Sequence, residues 1–170
     1  GKAGSKCSRA IMVAVKNGGP DPETNLTLRY AIVDAKAVNM AKDTIEKAIK
    51  KASGEGSEGI SYEEVRYEGY GSGGVAIIVD VLTDNVNRTA PEMRKLFEKG
   101  NGSLAKQGSV AFGFSSTGVI LVEDGNTNEE QLMETALEAG ANDVVLNDGL
   151  WEVTCEPQDY LGLREAIESA

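Results

Sequence analysis

Residues 69–82 read GYGSGGVAIIVDVL, and this stretch decides the fold class. Its second part, Val75–Leu82, is short and rich in β-branched residues, which predicts a buried β-strand. Its first part, Gly69–Gly74, predicts a structural turn. Helical periodicity precedes the strand and a helix start follows it, so the chain mixes both kinds of element. The expected fold class is α+β.

The glycine-rich turn invites comparison with a phosphate-binding loop. It lacks the Gly-Lys-Ser/Thr ending, and it leads into a strand, whereas phosphate loops lead from a strand into a helix. We therefore expect no nucleotide at Gly69–Gly74. We also expect no cofactor, no bound metal and no small-molecule substrate.

Residues 1–56 are predicted to form a small all-α N-terminal domain. A first helix covers about 8–16 and stops at Asn17-Gly18-Gly19. Asp21-Pro22-Glu23 predicts the start of a second helix with Asp21 as its N-cap. A third helix starts near Lys42. The expected inward faces are Leu26, Tyr30, Val33 and Ala37 on the second helix, and Ile45, Ala48, Ile49 and Ala52 on the third.

Residues 57–117 are predicted to form a central α/β domain that contains the Val75–Leu82 strand. Thr89-Ala90-Pro91-Glu92 predicts the cap and first turn of a helix that ends near Lys99. Farther along, apolar residues alternate as they do in a strand. These residues are Val110, Phe112 and Phe114.

Residues 118–170 are predicted to form a small ferredoxin-like α/β domain. The pattern indicates the order βαββα, which is a ferredoxin-like unit without its last strand. Asp148-Gly149 between two apolar runs is a hairpin signal. The expected elements are strand 119–122, helix 128–139, strand 143–146, strand 150–155 and helix 157–167.

Charge is distributed unevenly along the chain. The net charge is −10. Residues 1–52 hold ten Lys/Arg and five Asp/Glu, a net of +5, and residues 53–117 hold six against nine, a net of −3. Residues 118–170 hold one Arg against thirteen acids, a net of −12. Such asymmetry favours a basic binding end and an acidic end that repels polyanions.

Basic and amide side chains supply the candidate nucleic-acid-binding residues. Lysines on the third helix suit phosphate contact, although a run of charge is also typical of a solvated helix face. The polar segment Thr83–Thr89 can cap the next helix, or it can present a polar surface to RNA or protein. The candidates are Arg29, Lys36, Lys42, Lys47, Lys50, Lys51, Asn85, Asn87 and Arg88.

The sequence contains no histidine. This removes an imidazole base, Ser-His and Cys-His nucleophiles, and histidine metal ligands. The acids Glu63, Glu64 and Glu68 are not paired for acid–base work, and a surface role is expected. Carboxylate, lysine or tyrosine chemistry stays open, but we expect the chain not to be an enzyme.

Cysteine and hydrophobic patterns bear on the compartment. Cys7 and Cys155 have no metal-type spacing. The simplest interpretation is two free thiols in a reducing intracellular compartment. No apolar run has the length of a membrane span, and the N-terminus does not have the pattern of a signal peptide. We expect a cytoplasmic protein without a membrane partner, or one of the mitochondrial matrix if the source is eukaryotic.

Several motifs, in order along almost the whole chain, are jointly specific for one family. They are Gly18-Gly19-Pro20-Asp21-Pro22 with Asn25 and Leu28-Arg29; Asn39-Met40-Ala41-Lys42-Asp43-Thr44-Ile45-Glu46; Tyr67-Glu68-Gly69-Tyr70-Gly71-Ser72-Gly73-Gly74-Val75; Leu82-Thr83-Asp84-Asn85; Asn87-Arg88-Thr89; Gly108-Ser109-Val110 before Phe112; and Ala136-Leu137-Glu138-Ala139-Gly140-Ala141 with Asp143. The chain thus resembles the YebC family, which includes bacterial probable transcriptional regulators and a mitochondrial translational activator of cytochrome c oxidase.

The resemblance implies three domains: a helical N-terminal domain, a central α/β domain and a small α/β domain inserted into the central one. It implies binding to DNA, or to RNA and the ribosome, without a catalysed reaction or a cofactor. Relatives usually start with a basic tail and return to the central domain at the end, so that domain is expected to be incomplete here. Ser72 replaces a frequent proline, and Val86 replaces a frequent arginine.

We expect a regulator that acts in translation through contact with RNA or the ribosome. A lysine face without base-reading side chains suits the phosphates of structured RNA, and no helix-turn-helix signature is evident. The alternatives are a DNA-binding transcriptional regulator and a protein-interaction adaptor that uses its acidic α/β domains.

Overall fold

The computed structural model describes residues 1–55 and 61–170. The chain divides into two compact units, Gly1–Phe114 and Ser115–Ala170, and each is described by itself. The predicted boundary after residue 56 lies outside the described residues, and the three-domain division stays a prediction. Within the described ranges, no helix combines the length and apolarity that a membrane crossing requires.

The first unit begins with three helices: α1 (Lys2–Gly18), α2 (Leu26–Ala37) and α3 (Lys42–Ser53). Their apolar faces meet in one core, which confirms an all-α arrangement at this end. The predicted inward face of α3 is also confirmed. The buried residues of the core are Ile11, Met12, Ala14, Val15, Leu28, Ala31, Ala35, Ile45 and Ala48, with Ile49 and Ala52 partly buried against them.

The predicted start of α2 at Asp21 is wrong, because Asn25 is the N-cap. The Asp21 carboxylate accepts a hydrogen bond from the Glu23 amide at 2.9 Å, so the Asp-Pro signal forms a local turn ahead of the helix. The buried Asn25 side chain accepts from the Leu28 amide at 3.0 Å. The Asn25 side chain, which is tied to neighbouring structure, therefore sets the start of the helix in place of the more common Asp-Pro signal.

The predicted inward face of α2 is offset from the observed one. Leu28, Ala31 and Ala35 are the buried residues of this helix, whereas Val33 is 49% exposed. Since the helix begins at Leu26 and is anchored through Asn25, its rotation about its own axis is set by that anchor. The apolar spacing alone did not determine the rotation.

The first unit also contains an antiparallel sheet of three strands, β1 (Glu63–Tyr70), β2 (Ala76–Thr83) and β3 (Ser103–Leu104). Their order in the sheet is β2-β1-β3. The predicted strand is therefore confirmed, but it is an edge strand with half-buried side chains rather than a buried one. The structural turn lies between β1 and β2, where Gly73 and Gly74 have φ angles of 77° and 83°. Glycine adopts such angles without the steric cost that a side chain adds.

Helix α4 (Val86–Lys99) packs on this sheet through Phe97. A Cβ atom at Gly69 would lie 2.6 Å from the Phe97 ring, so glycine at this position of β1 lets the helix approach closely. The predicted cap at Thr89 is wrong, because Asn85 caps the helix. Thr89 is instead buried, and its hydroxyl lies 2.7 Å from that of Thr83.

The predicted strand through Val110, Phe112 and Phe114 is wrong. Residues Ala111–Gly113 form a short 3-10 turn. The amides of Val110 and Ala111 donate to the Glu68 carboxylate, so they are not available to a neighbouring strand. Val110 is buried and Phe112 is 87% exposed.

The second unit contains β4 (Gly118–Glu123), α5 (Glu129–Glu138), β5 (Asp143–Asn147), β6 (Leu150–Cys155) and α6 (Tyr160–Ser169). The predicted βαββα order is confirmed, and the three strands form an antiparallel sheet in the order β4-β6-β5. Asp148 and Gly149 have φ angles of 50° and 78°, as a two-residue hairpin turn requires.

The helices of the second unit cover one face of its sheet. The Trp151 indole N–H donates to the Asp124 carboxylate at 2.8 Å, which satisfies the polar atom of a buried ring. Cys155 is a free, fully buried thiol, and burial raises its pKa. The core residues are Leu132, Ala136, Val144, Trp151, Val153, Cys155 and Leu163.

Candidate nucleic-acid interface

The four candidate lysines of α3 lie on its solvent-exposed side, as predicted from the spacing. Two of them have carboxylate partners on the same helix. Lys42 lies 3.7 Å from Glu46, and Lys47 lies 3.9 Å from Asp43. Exposed pairs at this spacing are weak, so a phosphate can displace the carboxylate. They nevertheless lower the positive charge at this end of the helix.

The last turn of α3 holds the other two lysines, Lys50 and Lys51. Cations here interact favourably with the helix dipole. The Lys51 ammonium group lies 5.5 Å from the centre of the Tyr62 ring, within cation–π range. Lys50 is exposed. Positive charge on α3 is therefore less compensated near its C-terminus than near its N-terminus.

The two basic candidates on α2 differ in their surroundings. The Arg29 guanidinium donates to the carbonyls of Pro22 and Glu23, each at 3.3 Å. It therefore holds the turn that precedes the helix, which favours a partly structural role. Lys36 is exposed in the last turn of α2 and is available to solvent.

The candidates at the start of α4 also differ in whether their side chains already have a structural role. The Asn85 side chain accepts a hydrogen bond from the Arg88 amide at 3.1 Å as the helix cap. The Arg88 guanidinium pairs with Asp84 at 2.8 Å. Asn87 is exposed in the first turn. The scaffold interpretation of the Thr83–Thr89 segment therefore accounts for Asn85, whereas the side chain of Asn87 points to solvent.

Glu68 is the residue that sequence reasoning placed incorrectly. It was expected at the surface, but it is 2% exposed. Its carboxylate accepts hydrogen bonds from the amides of Gly108 at 2.5 Å, Ala111 at 2.7 Å and Val110 at 3.1 Å. These bonds, that of Gly108 first, hold the pKa of Glu68 below its usual value although burial opposes them. No local signal in the sequence indicated this burial, because the three amides lie about forty residues farther along the chain.

A cross-strand ion pair joins Arg66 of β1 to Asp80 of β2. The Arg66 guanidinium donates two hydrogen bonds to the Asp80 carboxylate of β2, at 2.7 and 3.2 Å. Hydrogen bonding from Arg66 lowers the pKa of Asp80. Both side chains are more than half exposed, so the pair contributes little to stability. It is electrically neutral as a unit.

Sequence reasoning did not select the cations of α1, which the structure places on one face. Lys2, Lys6, Arg9 and Lys16 follow one another at spacings of four, three and seven residues, which repeat on one side of a helix. The helix contains no Asp or Glu. The Lys16 ammonium group donates to the Tyr62 carbonyl at 2.6 Å, which ties α1 to the segment that leads into β1.

Known sequence families match both the helical N-terminal residues and most of the rest of the chain. Residues 1–55 match the family described as TACO1/YebC protein N-terminal domain. Residues 62–170 match the family described as TACO1/YebC second and third domain. The chain belongs to the TACO1/YebC family. The resemblance found in the sequence motifs is thereby confirmed.

Individual relatives of this TACO1/YebC chain are similar over its full length. A probable transcriptional regulatory protein of Methylococcus capsulatus is 52% identical over 171 residues, which cover 100% of this chain and 68% of the relative. Another protein of that description, from Rubrobacter xylanophilus, is 49% identical over 166 residues, 98% of this chain and 66% of the relative. The chain spans about two thirds of the length of these relatives. The names describe regulatory proteins and not enzymes.

A solved structure has the same fold. The crystal structure of a conserved hypothetical protein from Aquifex aeolicus superimposes with a TM-score of 0.82 at 44% sequence identity. The match covers 97% of this chain and 68% of that one. The mixed α+β fold is therefore shared with a protein of solved structure.

Proposed function

We propose that this chain regulates gene expression by binding nucleic acid through the helices of residues 1–55, and that it acts in translation through RNA or the ribosome. The observation that carries the proposal is the charge distribution. Residues 1–52 have a net charge of +5 in a chain of −10. Their lysines are exposed on helices that bury aliphatic cores, so they are available for a polyanion.

The side chains on α3 favour phosphate contact over base reading. The helix KDTIEKAIKKAS contains no Arg, Asn or Gln, the residue types that form bidentate contacts with base edges. Lysine acts as a point charge toward phosphates, which fixes position without reading sequence. Structured RNA, whose phosphates are the accessible feature, suits this surface better than a specific DNA site does.

A DNA-binding transcriptional regulator is the second candidate. The relatives' description as probable transcriptional regulatory proteins favours it. Arg29, Arg88, Asn85 and Asn87 are of base-reading residue types. However, Asn85 caps α4, while Arg29 and Arg88 hold adjacent carbonyl and carboxylate groups. This leaves Asn87 as the candidate whose side chain has no such role in the described contacts.

A protein-interaction adaptor is the third candidate, and the second unit favours it. One face of its sheet is open and carries half-exposed aliphatic side chains, among them Val119, Leu121 and Val145. The −12 charge of residues 118–170 would suit a basic protein partner. None of the three candidates includes a catalysed reaction or a cofactor.

Crosslinking in lysate followed by sequencing of the bound nucleic acid separates these candidates. We expect ribosomal or messenger RNA to be enriched over a mock sample. Enrichment of promoter DNA would favour the transcriptional candidate. Recovery of protein without any nucleic acid would favour the adaptor and contradict the proposal.

A further inference from the structure

A groove in the first unit lies between α1 and the hairpin of β1 and β2. Its volume is about 880 Å³. One wall is formed by the cationic face of α1, including Lys6 and Arg9, and the other by the hairpin, including Arg66 and Val81. The groove thus lies directly beside the row of cations that runs along α1.

The charges of this groove favour an anion. No ion pair among the described residues involves Lys6 or Arg9. Arg66 and Asp80 neutralise each other on the opposite wall. Glu64 is then the remaining carboxylate of the lining, against two uncompensated cations. On α3, by contrast, two of the four lysines already have a carboxylate within 4 Å.

The floor of the groove is apolar. Ala10 and Val13 of α1 and Leu82 of β2 supply apolar side chains on the side of the hairpin that carries Arg66 and Asp80. A cationic rim above an apolar floor matches a nucleotide, whose phosphate needs positive charge and whose base and sugar present weakly polar faces. The volume lies within the roughly 300–1,000 Å³ of typical ligand clefts, enough for about one or two nucleotides. A duplex can meet only the rim.

We propose that this groove binds an unpaired strand of RNA, with Lys6 and Arg9 on its phosphates and a base or sugar against Ala10 and Val13. The inference rests on the proposed function, because it names the surface on which the RNA lies. It adds α1 to the candidate residues. It predicts that the groove takes an unpaired segment of the structured RNA that α3 contacts, so that single strands bind there in preference to duplex.

The charge test compares two double variants of the full chain. Lys6→Gln/Arg9→Gln removes the groove cations, and Lys95→Gln/Lys99→Gln removes two exposed cations from α4 as a matched control. Binding of a labelled oligouridylate is measured over a range of salt concentrations. We expect the groove variant to lose roughly tenfold or more in affinity, and its slope of log affinity against log salt to flatten by about 1.4, or about 0.7 per contact. The control should keep both values.

The shape test fills the groove without changing its charge. Ala10→Leu places a larger side chain in the groove, and Ala3→Leu makes the same change at an exposed position of α1 outside it. We expect Ala10→Leu to weaken oligouridylate binding severalfold and to leave binding of duplex RNA unchanged. Ala3→Leu should alter neither. Circular dichroism and thermal melting verify that all variants fold.

The outcomes separate the groove from the proposed function. If the parent chain binds RNA but the groove variant loses no more affinity than the α4 control, the groove inference is wrong and the proposed function stands. The inference is also wrong if Ala10→Leu weakens duplex and single-strand binding equally. If the parent chain binds neither RNA, both the inference and the proposed function are contradicted.

Discussion

Residues 1–55 and the second unit, Ser115–Ala170, have similar interiors and opposite exteriors. Each packs fully buried aliphatic side chains, such as Ile11 and Leu28 in the first region and Val153 and Leu163 in the second. Outside these cores, the first region displays lysines on α1 and α3, whereas the second has a single basic residue, Arg164. The apolar pattern accounts for the fold of both, and the surface charge distinguishes what each can bind.

The difference favours polyanion binding by residues 1–55 over binding by the second unit. Phosphates are attracted to a surface of net positive charge and repelled by one of −12. The second region instead exposes apolar side chains on its sheet, among them Val119, Leu121 and Val145. Substitutions that act on one region and leave the other unchanged can sharpen this comparison.

The largest effect is expected for Leu163→Ala in the second unit. Leu163 is fully buried in that core. Loss of a buried leucine leaves a cavity and costs about 2–5 kcal/mol, so the second unit should melt far below the first. Calorimetry would show one transition shifted and RNA binding kept. A loss of RNA affinity in the folded variant would contradict the division of roles.

A pH-dependent effect is expected for Glu68→Gln in the first unit. The folded pKa of Glu68 is lowered, so its stabilising contribution is present above its unfolded value of about 4.3 and disappears as pH falls through the folded pKa. The variant should melt several degrees lower near neutral pH and lose less stability on acidification than the parent. Exposed Glu63→Gln is the control. Equal pH dependence in both variants would argue against the role of the buried carboxylate.

A smaller effect is expected for two helix caps, one in each region. Asn25 is buried, caps α2, and donates to the carbonyls of Ala14 and Gly19, each at 2.8 Å. Asn128 is exposed and caps α5 with a single bond to the Gln131 amide at 3.2 Å. We expect Asn25→Ala to cost about 2 kcal/mol and Asn128→Ala about 0.5–1 kcal/mol in urea unfolding. Equal costs would show that burial adds nothing to the cap.

Local signals were sufficient to predict the second unit. The cap at Asn128 and the Asp148-Gly149 turn act within a few residues of their own position, and the elements between them follow. In the first unit the decisive contacts are distant in sequence. Asn25 binds Ala14 of α1, and Glu68 binds amides about forty residues away, so neither was visible in a periodicity.

Part of the candidate site could be predicted from the sequence and part could not. Exposure of the α3 lysines follows from helical spacing, and so do the Lys42–Glu46 and Lys47–Asp43 pairs at four residues. The groove beside α1 was not predictable, because its second wall comes from the β1–β2 hairpin. The cation row of α1 could have been found from its spacings alone.

The smallest effect on stability and the largest on function are expected at Lys42, Lys47, Lys50 and Lys51. These side chains are exposed, so glutamine at each should change stability by within about 0.5 kcal/mol. Since Lys42 and Lys47 already have carboxylate partners, the Lys50/Lys51 pair should account for more of the lost affinity. Comparing the two double variants by RNA binding tests this order.

The salt dependence of RNA affinity in the quadruple lysine-to-glutamine variant tests the central claim most directly. Each lost phosphate contact should flatten the slope of log affinity against log salt by roughly 0.7–0.9. We expect at least two contacts to be lost, a change of about 1.4 or more, while deletion of residues 118–170 leaves the slope unchanged provided the remainder folds. An unchanged affinity and slope in the quadruple variant would contradict nucleic-acid binding by α3 and favour the adaptor.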